Sequence, residues 1–439
     1  MSRTIRSDRR LSRRSFLASI TAAAGLGLGA GPARAQPAAS QEVQYNSFLD
    51  PANANDPRSA AQTRMIEAFE RANPRIKVRV VVDPTGQNAI RATRTRADSP
   101  DVFRNPNFTI PEFAATGSLL PLDELVVRDG VDMADWLLPI EGTKVNGRLW
   151  GMQQDFRIPI LTYRKSRFAQ AQVASPPRTY EEIGALGPRL TQGNVIAFAI
   201  PIGLTGGIGG AQAFLEFIIS SMISGNDGAF FAPDGRAIGF SDERLLMAAE
   251  TVRDLFGRYR ASTPVTLQFG FNELQDGLRV GTVASASFGL YRYKGLQRQV
   301  ANDDLAWAPA PSIGAQDKHT VYGQQLNINA NSPRKDAAWE FVKYMVSPEA
   351  QAMAARGGEV VARASSYNDS YFQTPEAADQ LGWKQLVQER GRTVTYSLIQ
   401  STFNQIIGEA FQRMILRNAT PQAVLAEVKT RYADALARG

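Results

Sequence analysis

The amino-acid sequence predicts an α/β protein, and three observations indicate this class. Hydrophobic residues make up 44% of the 439 residues, which is enough apolar surface for packed cores. From residue 42 onward, strand patterns alternate with helix patterns. The C-terminal part shows helix patterns alone. We therefore expect sheets that helices cover on both faces, divided over two or three domains at roughly 150 residues per domain.

The first elements form a strand–helix–strand pattern. Residues 42–48 have strand character, and residues 61–72 place apolar side chains along one helical stripe that ends at Asn73-Pro74. Residues 76–82 (IKVRVVV) nearly alternate and are rich in β-branched side chains, which predicts a second strand. Further strands are predicted at 101–103 and, after the turn dipeptide Asn146-Gly147, at 148–152.

Later elements are mainly helices with recognisable starts. Residues 245–259 have helical spacing, and Ser241 is placed to cap that helix. Residues 307–311 (WAPAP) break both patterns and predict a connection between larger units. A Ser-Pro or Thr-Pro pair, a cap followed by proline, precedes three more helix patterns, at residues 332, 347 and 420.

The N-terminus has the layout of a cleaved signal peptide. Residues 1–35 contain seven arginines and one aspartate, a formal charge of +6, so the remaining chain carries only +1 of the total +7. A weakly apolar run at 16–31 precedes Ala33-Arg34-Ala35, and residues 12–18 (SRRSFLA) resemble the twin-arginine export motif. We expect export to the periplasm, cleavage after Ala35 and no membrane anchor, an ordinary secretory leader being the alternative. Because the excess charge lies in the leader, no nucleic-acid partner is expected.

The composition excludes several kinds of chemistry. Without cysteine there can be no disulfide, thiolate nucleophile, iron–sulfur cluster or lipoprotein anchor. His319, the one histidine, excludes a two-histidine metal site and is expected in a solvated loop. We expect no metal and no cofactor. The glycine-rich residues 203–210 lack a phosphate-loop pattern and predict a loop, whereas carboxylate pairs stay open because 41 acids follow the leader.

Polar and aromatic residues cluster where the predicted strands end. Ligands of open α/β sheets bind outside the carboxyl ends of the strands. Amide, hydroxyl and charged groups beside aromatic rings suit a sugar. The candidate ligand-binding residues are Tyr45, Asn46, Gln87, Asn88, Arg104, Asn105, Gln154, Asp155, Arg157, Phe288, Tyr291, Tyr322, Gln324 and Arg363.

A series of motifs resembles one known family. Residues 68–78 (AFERANPRIKV), 113–123 (FAATGSLLPLD), 146–152 (NGRLWGM) and 337–344 (AAWEFVKY) are similar, in order and spacing, to motifs of extracellular solute-binding proteins of ABC importers. The resemblance is to the carbohydrate-type group that includes the maltodextrin-binding proteins. Residues 100–103, 163–168 and 177–182 also match, so the likeness covers nearly the whole mature chain.

This resemblance implies a two-lobed periplasmic-binding-protein fold of type II. Lobe I would comprise residues 42–155 plus 309–356, and lobe II residues 156–308 plus 357–439, with crossing segments near 153–159, 307–311 and 357–363. The solute would bind between the lobes, which close by hinge bending and present it to an ABC permease. The protein would then be a non-enzymatic receptor, and we expect a monomer.

Two other functions stay open from the sequence. One is an exported hydrolase or lyase that uses a carboxylate pair in the cleft between the lobes. The other is a chemosensory or structural partner that no longer serves a transporter. Within the receptor hypothesis, Phe288-Gly289-Leu290-Tyr291 stands where the family often has Gly-Pro-Trp, so Phe288 or Tyr291 would supply the aromatic face.

Four arginines lie at or near strand ends or crossing segments, and their direction bears on the charge of the solute. If several point inward, they favour an acidic sugar or another organic anion, because a guanidinium binds carboxylate and phosphate bidentately. If they lie on the outer rim, they pair with nearby acids. The four are Arg104, Arg157, Arg292 and Arg363.

Overall fold

A computed structural model describes residues 40–438, apart from 54, 84–98, 141–143, 205–207, 225–229 and 315–316. The described residues belong to one compact unit. The predicted leader, its cleavage site and the candidates Gln87 and Asn88 lie outside the described residues and stay predictions. No helix in the described ranges is both long and apolar enough to cross a membrane.

The strands form two main sheets and one small one. In chain order they are β1 (Gln41–Ser47), β2 (Ile76–Val82), β3 (Val102–Pro106), β4 (Met152–Gln153), β5 (Pro159–Arg164), β6 (Ile196–Ala199), β7 (Val283–Gly289), β8 (Leu305–Pro309), β9 (His319–Thr320), β10 (Gln324–Ile328) and β11 (Gly391–Arg392). The first sheet has the order β2-β1-β3-β10-β4, the second β6-β7-β5-β8, and the third pairs β11 with β9. The fourth predicted strand, residues 148–152, is therefore only the short β4.

Fifteen α-helices are assigned within the described residues. They are α1 (Pro57–Ala72), α2 (Ile110–Ala115), α3 (Asp123–Arg128), α4 (Lys165–Gln170), α5 (Tyr180–Leu190), α6 (Ile208–Phe214), α7 (Ser220–Ser224), α8 (Asp242–Phe256), α9 (Phe271–Val280), α10 (Leu290–Gln297), α11 (Lys335–Met345), α12 (Pro348–Arg356), α13 (Ala378–Arg390), α14 (Gln400–Arg417) and α15 (Pro421–Arg438). A π-helical turn, Leu215–Ile219, connects α6 to α7. The predicted caps Ser241 and Ser347 accept hydrogen bonds from the first turns of α8 and α12.

The first sheet is covered on both faces, as predicted. On one face Tyr45 and Phe69 pack edge-on against Phe341 of α11, at 5.1 and 5.2 Å between ring centroids. On the other, Phe103 belongs to a separate apolar cluster with residues of α2. Alternate residues of β3 consequently face two different environments, so Arg104 and Asn105 lie on opposite sides of the sheet.

Residues 307–311 do not form the predicted crossing. Trp307 pairs with Thr162 and Pro309 with Ile160, within β8 at the edge of the second sheet. The prolines that suggested a break are compatible with a strand here because Pro309 is the last residue of an edge strand. The chain rejoins the first sheet at Gln324, so this crossing falls within residues 310–323.

Three crossing segments join the two main sheets, and residues 154–158, 321–323 and 357–363 of these segments lie side by side. Arg157 and Tyr322 exchange two backbone hydrogen bonds of 2.7 Å, and the Phe156 N–H donates to the Val360 carbonyl at 2.8 Å. Gly323 allows the close approach, since a Cβ at that position would lie 1.9 Å from the Asp155 carbonyl oxygen.

His319 is not in a solvated loop, contrary to the prediction. It lies in β9, pairs with Gly391 of β11 and is only 2% exposed. Burial, together with the nearby Arg390 charge, lowers its pKa to about 4, so the imidazole is neutral at pH 7. The polar sequence around it gave no sign of this pairing, because the partner strand lies 72 residues further along the chain.

Candidate functional site

Four charged side chains meet where the crossing segments leave the first sheet. Arg104 comes from β3, Asp155 and Arg157 from the first crossing, and Glu359 from the third. The Arg104 guanidinium lies 3.1 Å from Asp155 and 3.0 Å from Glu359. Arg157 binds both oxygens of Asp155, at 2.9 and 3.0 Å, and lies 3.5 Å from Glu359. We call these four residues the charged floor.

The charged floor is buried and balanced. None of its members is more than 6% exposed, so each charge has lost most of its hydration. Two guanidinium groups share two carboxylates, which offsets that loss. Burial by itself would lower the pKa of Arg157, but Asp155 and Glu359 outweigh it and raise that pKa. Asp155 also accepts the Gln324 N–H at 2.9 Å, so the floor ties the crossing segments together at β10 as well.

Aromatic rings from the two sides of the molecule enclose the guanidinium groups. Phe48 directly follows β1 of the first sheet. Tyr291 is the second residue of α10, which directly follows β7 of the second sheet. Arg104 lies 4.8 Å from the Phe48 centroid, and Arg157 lies 4.1 Å from that of Tyr291. These are cation–π distances, and they bring both halves of the molecule to one site.

A further arginine, Arg58 of α1, lies between the same two rings. Its guanidinium is 5.9 Å from the Phe48 centroid and 5.6 Å from that of Tyr291. Asp56 caps α1 and binds Arg58 through both oxygens, at 3.1 and 2.8 Å. Burial opposes ionisation of Asp56, but these hydrogen bonds outweigh it and lower the pKa of the carboxyl. Arg58 is thus a neutralised cation in the cleft.

The side of the cleft toward the second sheet is arranged differently. We call its three polar residues, Glu216, Tyr291 and Arg292, the cleft wall. Glu216 projects from the π-helical turn, a feature common at functional sites, and accepts hydrogen bonds from Gln212 and, at 3.3 Å, from the Tyr291 hydroxyl. Burial raises the pKa of Glu216, and the nearby arginine charges only partly oppose this.

Arg292 is the cleft arginine without a carboxylate partner. Its Nη1 donates to Gln275 at 3.1 Å and to Asn272 at 3.4 Å, and its guanidinium lies 5.0 Å from the Phe271 centroid. Within the part of the chain that the structure describes, Arg292 forms no ion pair, and its buried Nε has no hydrogen-bond partner. Burial lowers its pKa, and the Arg58 charge acts in the same direction.

The structure brings several predicted residues to this site and places others elsewhere. Arg104, Asp155 and Arg157 are in the charged floor, and Tyr291 is in the cleft wall. Gln154 and Gln324 are buried beside the floor, and the side-chain oxygen of each has no protein partner among the described residues.

Four predicted aromatic or polar residues pack into the body of the protein. The ring of Tyr45 lies against Phe341 in the core. Phe288 is 0% exposed and packs 5.9 Å from Phe217, so Tyr291 supplies the aromatic face. Tyr322 stacks in a cluster with Phe108 and Tyr396, and Asn105 donates to Asn327 on the opposite face of the first sheet.

The remaining two candidates lie at the margins. Asn46 donates to Asp83 at the end of β1, at 3.2 Å. Arg363 lies in the third crossing segment, 3.1 Å from Asp135 and 4.4 Å from the Trp136 ring. Of the four arginines singled out from the sequence, three therefore face acids within 4 Å, and two of those three are buried in the floor.

Sequence reasoning missed five residues of the site: Phe48, Asp56, Arg58, Glu216 and Glu359. Glu216 carried a usable signal, because it is the one acid in the apolar run 214–219. Glu359 follows Gly357-Gly358 inside a predicted crossing, and Asp56 precedes a proline as a helix cap does. Arg58 carried none, since a polar residue in the first turn of a helix is ordinarily solvated.

A cavity of about 550 Å³ lies away from this cluster, and we do not assign the site to it. It is beside β8 and the start of α5, lined by residues 175–178, Glu182, residues 308–310 and Arg390. Among the described residues, the cluster at the crossing segments brings buried charges together with Phe48, which follows β1 of the first sheet, and Tyr291, which lies just after β7 of the second. The molecule is thus of the class that has two α/β lobes and a polar cleft at the segments that join them.

Comparison with known proteins identifies the family. The sequence model described as "Bacterial extracellular solute-binding protein" matches residues 52–352, and the chain belongs to this family of extracellular binding proteins. A "Diacetylchitobiose binding protein DasA" of Streptomyces coelicolor is 22% identical over 287 residues, 63% of each chain. A "Probable amino-acid ABC transporter periplasmic-binding protein y4oP" of Sinorhizobium fredii is 24% identical over 52% of this chain and 50% of that one. The chain thus spans between half and two thirds of these curated relatives.

Solved structures agree on the fold. The GacH receptor of Streptomyces glaucescens has a TM-score of 0.73 at 21% identity, over 90% of this chain and 98% of that one. UgpB of Mycobacterium tuberculosis, in complex with glycerophosphocholine, also gives 0.73, at 20% identity over 91% and 99%. Maltose-bound MalE3 of T. maritima gives 0.72, at 18% identity over 91% and 100%. The predicted two-lobed periplasmic-binding-protein fold is confirmed.

Proposed function

We propose that this protein is a receptor that captures a small carbohydrate-type solute in the cleft and delivers it to an ABC permease. The observation that carries the proposal is the convergence of Phe48, Arg58 and the charged floor with Tyr291 from the opposite side. Aromatic faces and fixed hydrogen-bonding groups are what a sugar ring requires. The proteins of similar sequence or fold include one named for diacetylchitobiose and others bound to acarbose or maltose.

The geometry also supports capture by closure. Phe48 and Tyr291 belong to different halves of the molecule, which are joined by the crossing segments, so bending there changes the space between the rings. A solute held by both rings gains contacts that exist only in the closed state, and this difference shifts the equilibrium toward closure. A permease that recognises the closed form would then receive loaded receptor.

The same geometry supports a receptor rather than a hydrolase or lyase. Asp155 and Glu359 lie in the cleft floor, but both are bound to guanidinium groups. A glycosidase needs one carboxyl that can donate a proton and a second that is free to attack or to activate water. Carboxylates that are held by two arginines suit a structural role better.

The proposed receptor function also implies an export route, a cellular location and an oligomeric state. We propose that the leader directs twin-arginine export and is removed after Ala35, and that the mature protein acts as a periplasmic monomer without a membrane anchor, metal or cofactor. Secretion of a reporter fused to residues 1–35, and its loss when Arg13 and Arg14 are both replaced by Lys, would test the export route. A chemosensory role would instead predict binding without transport in a strain that carries the cognate permease.

The experiment that tests the receptor proposal is a ligand screen on residues 36–439. Thermal shift against neutral sugars, uronic acids, sugar phosphates and polyols identifies hits, because a ligand of the folded state raises the melting temperature. Calorimetry on wild type and Tyr291→Ala follows, with the exposed Arg298→Gln as matched control. We expect a hit that is recovered chemically unchanged and binds at least tenfold more weakly to Tyr291→Ala. A hit that is consumed would reject the receptor function in favour of an enzyme.

A further inference from the structure

We propose that Arg292 binds an anionic group of the solute, so that the cleft selects an acidic sugar or polyol derivative over its neutral counterpart. This inference rests on the proposed receptor function and names the solute class within it. The shared chemistry is a carboxylate or phosphate oxyanion attached to a polyhydroxylated body.

The arginines of the cleft differ in whether an acid pairs with them. Four arginines lie there: Arg58, Arg104, Arg157 and Arg292. Asp56 neutralises Arg58, while Asp155 and Glu359 neutralise the two arginines of the floor. Arg292 is left with neutral partners, which are the side-chain amides of Asn272 and Gln275 and the hydroxyl of Tyr291. A partly buried guanidinium with no counterion is costly, and an anionic solute group supplies the missing charge.

Arg292 also lies close to the groups that meet in the cleft. Arg292 follows Tyr291, whose ring lies 5.6 Å from the Arg58 guanidinium of the opposite half. The positive charge of Arg292 also contributes to lowering the pKa of the Asp56 carboxyl. A solute group that enters the cleft beside Tyr291 would thus have Arg292 next to it. The buried Nε without a partner gives the guanidinium a free donor, which suits a fork-shaped contact with an oxyanion.

Glu216 is the acid of the cleft wall that could pair with Arg292. This carboxyl lies against the Tyr291 hydroxyl and Gln212, and it forms no ion pair with Arg292 in the described structure. An ionised Glu216 would be the natural internal partner of Arg292. Burial raises the pKa of Glu216 and so opposes the ionisation that would let this carboxyl pair with Arg292.

The test compares matched sugars on matched variants. Glucose, galactose and glycerol are each titrated beside their carboxylate and phosphate derivatives, using calorimetry on the mature protein at pH 6 and low salt. We expect wild type to bind at least one anionic derivative about 10- to 100-fold more tightly than its neutral parent, as is typical of a charge-assisted hydrogen bond. Carboxylate and phosphate arms show which oxyanion is preferred.

The variants separate recognition of charge from binding in general. Arg292→Gln should weaken binding of the anionic derivative far more than binding of the neutral parent, so that the preference for the anion is lost, whereas Arg292→Lys should keep part of that preference. Arg298→Gln, an exposed position just beyond α10, should change neither. Equal binding of neutral and anionic forms by wild type, or an equal loss of both in Arg292→Gln, overturns the inference and leaves the receptor function standing. No binding of any probe by wild type would count against both.

Discussion

The charged floor and the cleft wall lie against each other, yet they treat charge in opposite ways. In the floor, two arginines and two acids satisfy one another within 3.5 Å. In the wall, Arg292 and Glu216 both lie close to Tyr291 without forming an ion pair. The floor is drawn from β3 and two crossing segments, whereas the wall comes from α10 and the π-helical turn beside the second sheet.

This difference indicates a division of roles. A fully paired buried network is costly to rearrange, so the floor is suited to hold the ends of the crossing segments against the first sheet. The wall keeps polar groups that a solute can still satisfy. The paired charges of the floor therefore suit stability and the groups of the wall suit recognition, and the following predictions separate the two.

The largest effect is expected from Asp155→Asn. This change leaves Arg104 and Arg157 buried with Glu359 as their single carboxylate partner. Loss of one member of a buried ion pair typically costs about 3–5 kcal/mol of stability. Urea unfolding of the mature protein at pH 7 measures the cost. Asp303→Asn, which removes an exposed ion pair with Lys165, is the matched control and should cost less than about 1 kcal/mol. Similar values for the two variants would show that the floor does not stabilise the joint.

A smaller effect is expected from Gly323→Ala. The added Cβ would lie 1.9 Å from the Asp155 carbonyl oxygen and 2.2 Å from the Gln153 side chain, so the first two crossing segments would have to separate. Overpacking of this kind costs roughly 1–3 kcal/mol. Gly295→Ala in α10 is the control, because nothing lies within 4 Å of its new Cβ and alanine favours helix. If both alanines leave the midpoint of urea unfolding unchanged, the crossing segments are less closely held than the hydrogen bonds indicate.

The sequence predicted the floor better than the wall, for a physical reason. Arg104 lies in β3, and Asp155 and Arg157 lie between β4 and β5, so local strand patterns placed all three near strand ends. Glu216 of the wall, and Arg58 between the rings, lie in helical segments whose surroundings come from distant parts of the chain, since both contact Tyr291. Their burial depends on packing that no local pattern records. The second crossing was misplaced for a similar reason. A proline interrupts the strand pattern both in a connection and at the end of an edge strand, so the prolines of residues 307–311 could not distinguish the two.

The smallest effect is expected in how stability depends on pH through the titration of Glu216, the acid of the cleft wall. Its pKa is raised in the folded protein, so over the range between its unfolded and folded pKa values the native state binds more protons than the unfolded state. Stability must then fall as pH rises through that range, opposite in sign to a salt-bridged acid. The groups that act on Glu216 are Arg157 and Arg292, which favour ionisation, and Tyr291, Tyr322 and Tyr396, which are neutral near pH 7.

Glu216→Gln removes this titration and leaves the shape of the side chain nearly unchanged. We therefore expect the variant to gain stability relative to wild type as pH rises from 4 to 8 in urea unfolding, and the two to converge at the acid end. Binding of an acidic sugar should weaken with rising pH in wild type, because the ionised Glu216 competes for Arg292, and should be flat in the variant. Glu250→Gln at an exposed site of α8 controls for the loss of an acid. A wild-type affinity that is as independent of pH as that of the variant would mean that Glu216 does not titrate in competition for Arg292, and the contrast between floor and wall would then disappear.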